Sequence, residues 1–221
     1  MREHLLEKLR LRKEIVLCEQ DPIHFMLNYV NCKHSTHGTI PFHPHDYQVE
    51  YIEALTKGNT IVHAARQAGS SLTTTLYLFW EGFFQQKKQV LAANRVDLAV
   101  DNLQHIRHAY MTMPSWLRDY NPMVVNDKMR IEFANGSYFT AITATEHSFR
   151  GMNIDTLFID NFSRIQHQED VLMAALPIVS YPDSKGIIVS SGDTSEVFDD
   201  MFSDSANGLG TFTAIKIVPD Y

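Results

Sequence analysis

Residues 60–71 read Thr-Ile-Val-His-Ala-Ala-Arg-Gln-Ala-Gly-Ser-Ser. The first six are an apolar run that reads as a buried strand. The next six form a glycine-bearing turn, and helical spacing takes over across 72–86. A strand, a turn and a helix in this order aim free backbone N–H groups and the positive end of a helix dipole at one spot, which suits a phosphate. Any βα unit shares that outline, so the rest of the chain must separate a ligand site from plain structure.

Working outward, the strand-helix alternation repeats. Residues 89–93 (QVLAA) read as a strand and 96–113 as a helix, followed by a break at Pro114-Ser115-Trp116-Leu117. Residues 129–133 and 137–142, separated by Ala134-Asn135-Gly136, read as a hairpin decorating the sheet, because Asn-Gly is a strong tight-turn signal. Residues 155–160 (DTLFID) are the next buried strand, 168–179 a helix, and 185–191 and 211–218 complete about five core strands. Alternation of this kind predicts an α/β fold with a mostly parallel sheet covered by helices on both faces. Phe79, Trp80, Phe83 and Phe84 follow helical spacing and are expected in the core rather than as a stacking platform for bases.

At 221 residues the length allows one large α/β domain or two small ones. Without repeats or a long linker, the reading is a core over 42–221 behind a helical appendage over 1–41. In the appendage Lys8, Arg10, Arg12 and Lys13 share a helix with Leu5, Leu6, Leu9 and Ile15 as its expected apolar side. Asp21-Pro22 starts a second helical stretch, and 33–38 with Pro41 reads as loop. Hydrophobic residues at 44% and charged residues at 20% exclude a disordered or collagenous chain. Cys18 and Cys32 cannot form a disulfide framework, and neither has a second Cys or His at zinc-ligand spacing. No apolar run approaches the roughly 18 residues of a membrane span. The start, MREHLLEKLRLRKE, lacks the apolar stretch of a signal peptide. The expectation is a soluble protein of a reducing, intracellular compartment without a membrane partner. A net charge of −7, from 19 Lys+Arg against 26 Asp+Glu, argues against a surface that is basic throughout.

Polar residues bunch after three of the strands: at 66–71, at Asp160-Asn161 and at Ser190-Ser191-Gly192-Asp193. In open α/β sheets ligands bind outside the carboxyl ends of strands, so the three clusters outline one crevice. An apolar strand ending in Asp160 is the arrangement that holds Mg²⁺ beside a nucleoside triphosphate. With the glycine-bearing turn about 90 residues earlier, it points to a P-loop NTPase.

The chain resembles the N-terminal ATPase domain of the large terminase subunit of tailed bacteriophages, the ATP-driven motor that packages double-stranded DNA. DPIHFMLNYV and IPFHPHDYQ resemble that family's lead-in and adenine-recognising glutamine motif, HAARQAGSSLTTT its Walker A loop, and MPSWLRDY its Pro-x-Trp-Leu segment. HSFRGMNIDTLFIDNF resembles its Arg-Gly element leading into Walker B, and IIVSSGDT stands at its coupling motif. The resemblance implies a P-loop NTPase of the RecA/ASCE type that binds ATP and Mg²⁺. Tyr47, Gln48, Arg66, Gln67, Ala68, Gly69, Ser70, Ser71 and Leu72 would contact nucleotide, with Gln48 on the adenine. Ser71 and Asp160 would hold the metal, and Ser190, Ser191 and Gly192 would couple hydrolysis to motion. It further implies a homo-oligomeric ring on the portal protein, double-stranded DNA and the small terminase subunit as partners, and the host cytoplasm during infection as location. The family's nuclease domain has no counterpart within these residues.

Three departures accompany the resemblance. Ser70 stands where the family often carries the Walker A lysine, and the alternative upstream position near Ala64 is not basic either. Walker B closes Asp160-Asn161 instead of Asp-Glu, and Gly192-Asp193 replaces the usual Thr-Pro of the coupling motif. A lysine on the β/γ-phosphates and a carboxylate on the attacking water are the groups on which hydrolysis leans most. The catalytic set is therefore read as Arg66, Asp160, Asn161 and Asp193, with Arg66 supplying the charge that Ser70 cannot and Asp193 orienting the water. Structural readings stand beside these: a surface arginine at Arg66, a helix cap at Asp160 and a cap of a helix near Ser195 for Asp193. Arg150 could meet phosphate, DNA or a neighbouring subunit. His63 reads as a satisfied core histidine, and His43 and His45 as loop residues. Two other functions remain open: a non-hydrolysing nucleotide-binding or structural subunit partnering an active motor, and a helicase-like ATPase.

Overall fold

A computed structural model describes residues 2–219 apart from 35 and 150, so the expectation for Arg150 lies outside the described residues. In chain order the elements are α1 (Arg2–Gln20), α2 (Pro22–Tyr29), β1 (Asn31–His34), β2 (Gly38–Pro41), α3 (Asp46–Leu55), β3 (Thr60–Ala64), α4 (Ser70–Phe84), β4 (Lys88–Ala93) and α5 (Val96–Thr112). There follow α6 (Ser115–Tyr120), β5 (Met123–Asp127), β6 (Arg130–Phe133), β7 (Tyr138–Thr143), β8 (Thr156–Asp160), a 3-10 turn (Phe162–Arg164), α7 (Gln168–Val179), β9 (Lys185–Ser191), α8 (Glu196–Ala206) and β10 (Thr213–Ile217). No helix among the described residues is long and apolar enough to cross a membrane.

The main sheet has the order β10-β3-β9-β8-β4-β7-β6-β5. Pairing is parallel from β10 through β7 and antiparallel across β7-β6-β5. Because side chains alternate across a strand, each apolar run feeds both faces. Val62, Ala64, Phe158, Ile187 and Val189 join the core under α4 and α5, while Ile61, Leu157, Ile159 and Ile188 join the one under α7 and α8. Phe79, Trp80, Phe83 and Phe84 are buried, as their spacing predicts.

Three local expectations are corrected. The hairpin around Asn135-Gly136 is part of the sheet, since β7 pairs in parallel with β4, and β5 extends the antiparallel edge. Asn135 shapes its turn by accepting from Ser137 N and ties it to α4 by donating to the Gly82 carbonyl. Residues read as loop around 33–41 instead form the β1-β2 hairpin, in register from Asn31↔Pro41 to His34↔Gly38. The expected apolar side of α1 faces solvent at Leu5, Leu6 and Leu9. Among the described residues, the anchoring contacts of that helix lie in its carboxyl-terminal half: Cys18 is fully buried, its carbonyl accepts from Trp80 Nε1 at 2.7 Å, and Glu14 meets His24 and the Tyr29 hydroxyl.

At the end of α4 away from its start, Glu81 and Lys185 form an ion pair at 2.9 Å with both side chains withdrawn from water. Lys185 Nζ also donates to the Tyr77 hydroxyl, and Thr156 Oγ1 and Gln89 Nε2 donate to Glu81 Oε2. The network fastens α4 to the starts of β9, β8 and β4. Removing one partner of a buried pair leaves an uncompensated charge, which costs about 3–5 kcal/mol. Lys185→Met should therefore lower the urea midpoint far more than the double change Glu81→Gln with Lys185→Met; equal losses would show that the pair is not coupled.

Candidate functional site

The turn between β3 and α4 is built from two left-handed residues, Gln67 at φ 63° and Gly69 at φ 72°. Gly69 is the N-cap of α4, and a Cβ there would come within 2.8 Å of Gln48 Nε2. The helix begins at Ser70, earlier than periodicity indicates, so Ser70, Ser71 and Leu72 occupy its first turn. Backbone N–H groups there have no acceptor inside the helix, and no acidic residue stands in that turn. An anion is the complementary ligand.

Gln48, from the first turn of α3, braces this loop. Its buried amide donates to the Ala68 carbonyl at 3.3 Å and to Thr73 Oγ1 at 3.1 Å, while Oε1 accepts from His45 N at 3.0 Å. Both amide hydrogens are committed to the loop and α4, so an adenine contact would draw on the remaining acceptor capacity of Oε1. Tyr47 lies beside it, its ring stacked on His45 and its hydroxyl 3.5 Å from the Ala68 carbonyl. His45 is thus the N-cap position of α3 rather than a free loop residue.

Asp160 closes β8 with 4% of its surface exposed. Ser71 Oγ donates to Oδ1 at 2.9 Å, Asn161 N to the same oxygen at 2.9 Å, and Asn102 Nδ2 to Oδ2 at 3.1 Å. None of these donors belongs to the first turn of a helix that Asp160 precedes, so the capping alternative is not realised. Burial pushes its carboxyl above the usual range, and the three hydrogen bonds pull the other way without cancelling it. The Ser71 hydroxyl and the Asp160 carboxylate are hard oxygen donors in contact, a set that fits Mg²⁺. Asn161 adopts φ 53° and starts the 3-10 turn.

The segment after β9 lies against both neighbours. Ser190 Oγ donates to Ser163 Oγ at 2.6 Å, Gly192 N to the Ala64 carbonyl at 3.0 Å, and the Gly192 carbonyl lies 3.2 Å from His63 Nε2. Gly192 sits at φ 74° with Arg66 laid across it, where a Cβ would meet Nε at 2.5 Å. Arg66 reaches Asp193 Oδ2 at 2.9 Å, and Arg164 stands 3.8 Å from the same oxygen. Asp193 does not cap α8, because Ser195 holds that position and accepts from Phe198 N. The three polar clusters therefore meet past the carboxyl ends of the neighbouring strands β3, β9 and β8. Two participants carry no sequence signal of their own: Asn102, a polar residue on the buried side of α5, and Arg164, on the turn after β8.

Two other features lie apart from the glycine-bearing loop, the first sharing Arg164 with the crevice. A cavity of about 720 Å³ opens past the carboxyl ends of β4 and β7, lined by Asn94, Arg95, Thr143, His167 and Arg164 rather than by the glycine-bearing loop. Glu14, Cys18 and His24 bring ligand-type atoms within 4.8 Å, a grouping across two helices that spacing rules miss. Glu14 is already paired with His24 and Tyr29, and burial pushes the Cys18 thiol up to about 12, which suits a structural cysteine.

No protein-family model matches the chain. Among solved structures, the large terminase ATPase domain of Thermus phage P74-26 superposes with a TM-score of 0.64 at 17% identity, covering 80% of this chain and 81% of that one. The large terminase of bacteriophage HK97 gives 0.63 at 13% identity over 88% of this chain and 43% of that one. The large terminase of a thermophilic bacteriophage in complex with ADP gives 0.59 at 11% identity over 78% of this chain and 45% of that one. This chain thus spans less than half of the latter two proteins. Its architecture is an α/β P-loop fold. More narrowly, it is the fold of phage large terminase ATPase domains.

Asp160 sets a checkable pH response. A carboxyl raised in the native state contributes stability that is fully present below the unfolded value, about pH 4, and is lost as pH rises through the raised value. Asp160→Asn removes that loss. The thermal midpoint of Asp160→Asn should depend less on pH between about 4 and 7 than that of the wild type; a wild-type pH slope in the variant would contradict a raised carboxyl.

Proposed function

We propose that this chain is the ATP-binding motor domain of a phage terminase, which drives double-stranded DNA into a capsid as part of a ring on the portal protein. The observation that carries the reading is the hydrogen bond from Ser71 to Asp160, 89 residues apart, which joins an anion-ready helix start to a strand-end carboxylate. The fold of terminase ATPase domains and the ADP complex of the thermophilic-phage terminase support it. Under this reading residues 42–221 are the ATPase core, and the small terminase subunit is a further partner in the host cytoplasm.

Residues 66–72 cradle the phosphates through backbone N–H groups, with Tyr47 and Gln48 supporting the loop from α3. Ser71 and Asp160 would hold Mg²⁺, which supplies charge neutralisation on the phosphate oxygens when bound. Arg66 is the cation of the loop in place of the missing lysine, and Asn161 holds the backbone turn where a glutamate would have stood. Asp193 accepts a proton from the attacking water as the water oxygen bonds to the γ-phosphorus. The bond to the β,γ-bridging oxygen breaks, and ADP and inorganic phosphate leave. Ser190 binds the turn after β8, Gly192 binds the end of β3, and Ser191 between them pairs beside Ala64, so a change at the phosphate reaches both.

A second reading, a subunit that binds nucleotide without turning it over, is favoured by Ser70 and Asn161, which remove a cation and a carboxylate. ATP turnover measured with double-stranded DNA and portal present separates the two: DNA-stimulated hydrolysis supports the motor, and binding without turnover at any DNA concentration supports the second reading. Strand separation on forked DNA would instead favour a helicase-like ATPase. In the motor, Asp193→Asn should reduce turnover by about 100-fold or more while nucleotide stays bound. Arg66→Ala should weaken both binding and turnover. Wild-type turnover in Asp193→Asn would remove that residue from the chemistry.

A further inference from the structure

We infer that Asp193 is an internal stand-in for the terminal phosphate of the nucleotide, and that Arg164 is a second γ-phosphate ligand held ready by it. The inference rests on the nucleotide-binding reading of the crevice. Its basis is the convergence of two guanidinium groups on one carboxylate oxygen: Arg66 from the loop at 2.9 Å and Arg164 from the turn after β8 at 3.8 Å. β9 lies between β3 and β8, so its outgoing segment emerges between the loop and the strand-end Asp160. Gly192 has no side chain to lift Arg66 off the backbone, and the guanidinium is thereby laid toward Asp193.

Charge and exposure define what the cluster can exchange. Two cations face one carboxylate, leaving a local excess of one positive charge beside a helix start that carries no acid. The other carboxylate of the crevice, Asp160, is engaged by Ser71, Asn102 and Asn161 instead. Side-chain exposures of 66% for Arg66, 59% for Arg164 and 83% for Asp193 make the contacts weak ones to break. A terminal phosphate carries more charge and three acceptor oxygens, and guanidinium groups bind it in bidentate fashion. It outcompetes the carboxylate for both arginines. The same exchange frees Asp193 to face the attacking water, so the carboxylate is withheld until a triphosphate is present. ADP lacks the group that displaces it.

Calorimetric titration of the full chain with Mg·ATP-γ-S and, separately, Mg·ADP tests this. Arg164→Ala should weaken ATP-γ-S by about 10-fold or more, the loss expected for a charge-assisted contact, while ADP affinity changes by less than about 3-fold. Arg164→Lys should restore part of the loss, and Asp193→Asn should tighten ATP-γ-S but not ADP. An unfolding midpoint equal to wild type confirms that each variant is folded. If the wild type binds both nucleotides and Arg164→Ala keeps their affinity ratio, or Asp193→Asn weakens ATP-γ-S, the stand-in is rejected and the nucleotide site survives. If the wild type binds neither nucleotide, the site reading itself fails and takes this inference with it.

Discussion

A carboxylate at the end of a buried strand is stable only if its oxygens find donors, and Asp160 finds three. One comes from the first turn of α4, one from α5 and one from its own following peptide. Meeting that demand places the start of α4 against the end of β8, across the intervening β9. The glycine-bearing loop has to bridge that distance, which is why Gln67 and Gly69 take left-handed conformations and why Gln48 props the loop from below. Even so, burial outweighs the hydrogen bonds and leaves the carboxyl raised, the strained condition a cation or a proton would relieve.

The helix that carries Ser71 is fixed at both ends by polar groups and along its length by apolar ones. Its start is tied to Asp160, and its far end to Lys185 through Glu81. Between them nearly every residue is buried, so movement at the loop cannot be absorbed by bending the helix into solvent. Such a rod relates the carboxyl ends of the strands, where a ligand would arrive, to their opposite ends. The segment after β9 makes a second connection, through Ser190 to the turn after β8 and through Gly192 to β3. Both connections start from the same few residues around the crevice.

Under the proposed function, Arg66, Arg164 and Asp193 together bring the charges that Ser70 and Asn161 do not carry. A lysine and a glutamate each act alone as a point charge at a fixed position. Here two guanidinium groups and one carboxylate sit on side chains that partly offset one another. Charge of both signs is thus available at the crevice without a large net field, in keeping with a chain whose overall balance is −7.

The alternation of strands and helices, the buried strands at β3, β4, β8 and β9, and the location of the glycine-bearing loop can all be read from the residues in order. These are local properties: apolar runs, helical spacing and a residue that tolerates positive φ declare themselves within a dozen positions. The sequence also carried the polar clusters at the strand ends, because burial makes polar residues there conspicuous. That β7 joins β4 in parallel, that residues 31–41 form a hairpin, and that Leu5, Leu6 and Leu9 face solvent emerge from the folded arrangement alone. The same holds for the donors Asn102 and Gln48 and for the pairing of Arg164 with Asp193. Each depends on which strands lie side by side, and strand order follows from how distant apolar surfaces pack, a long-range condition that no short window of residues contains.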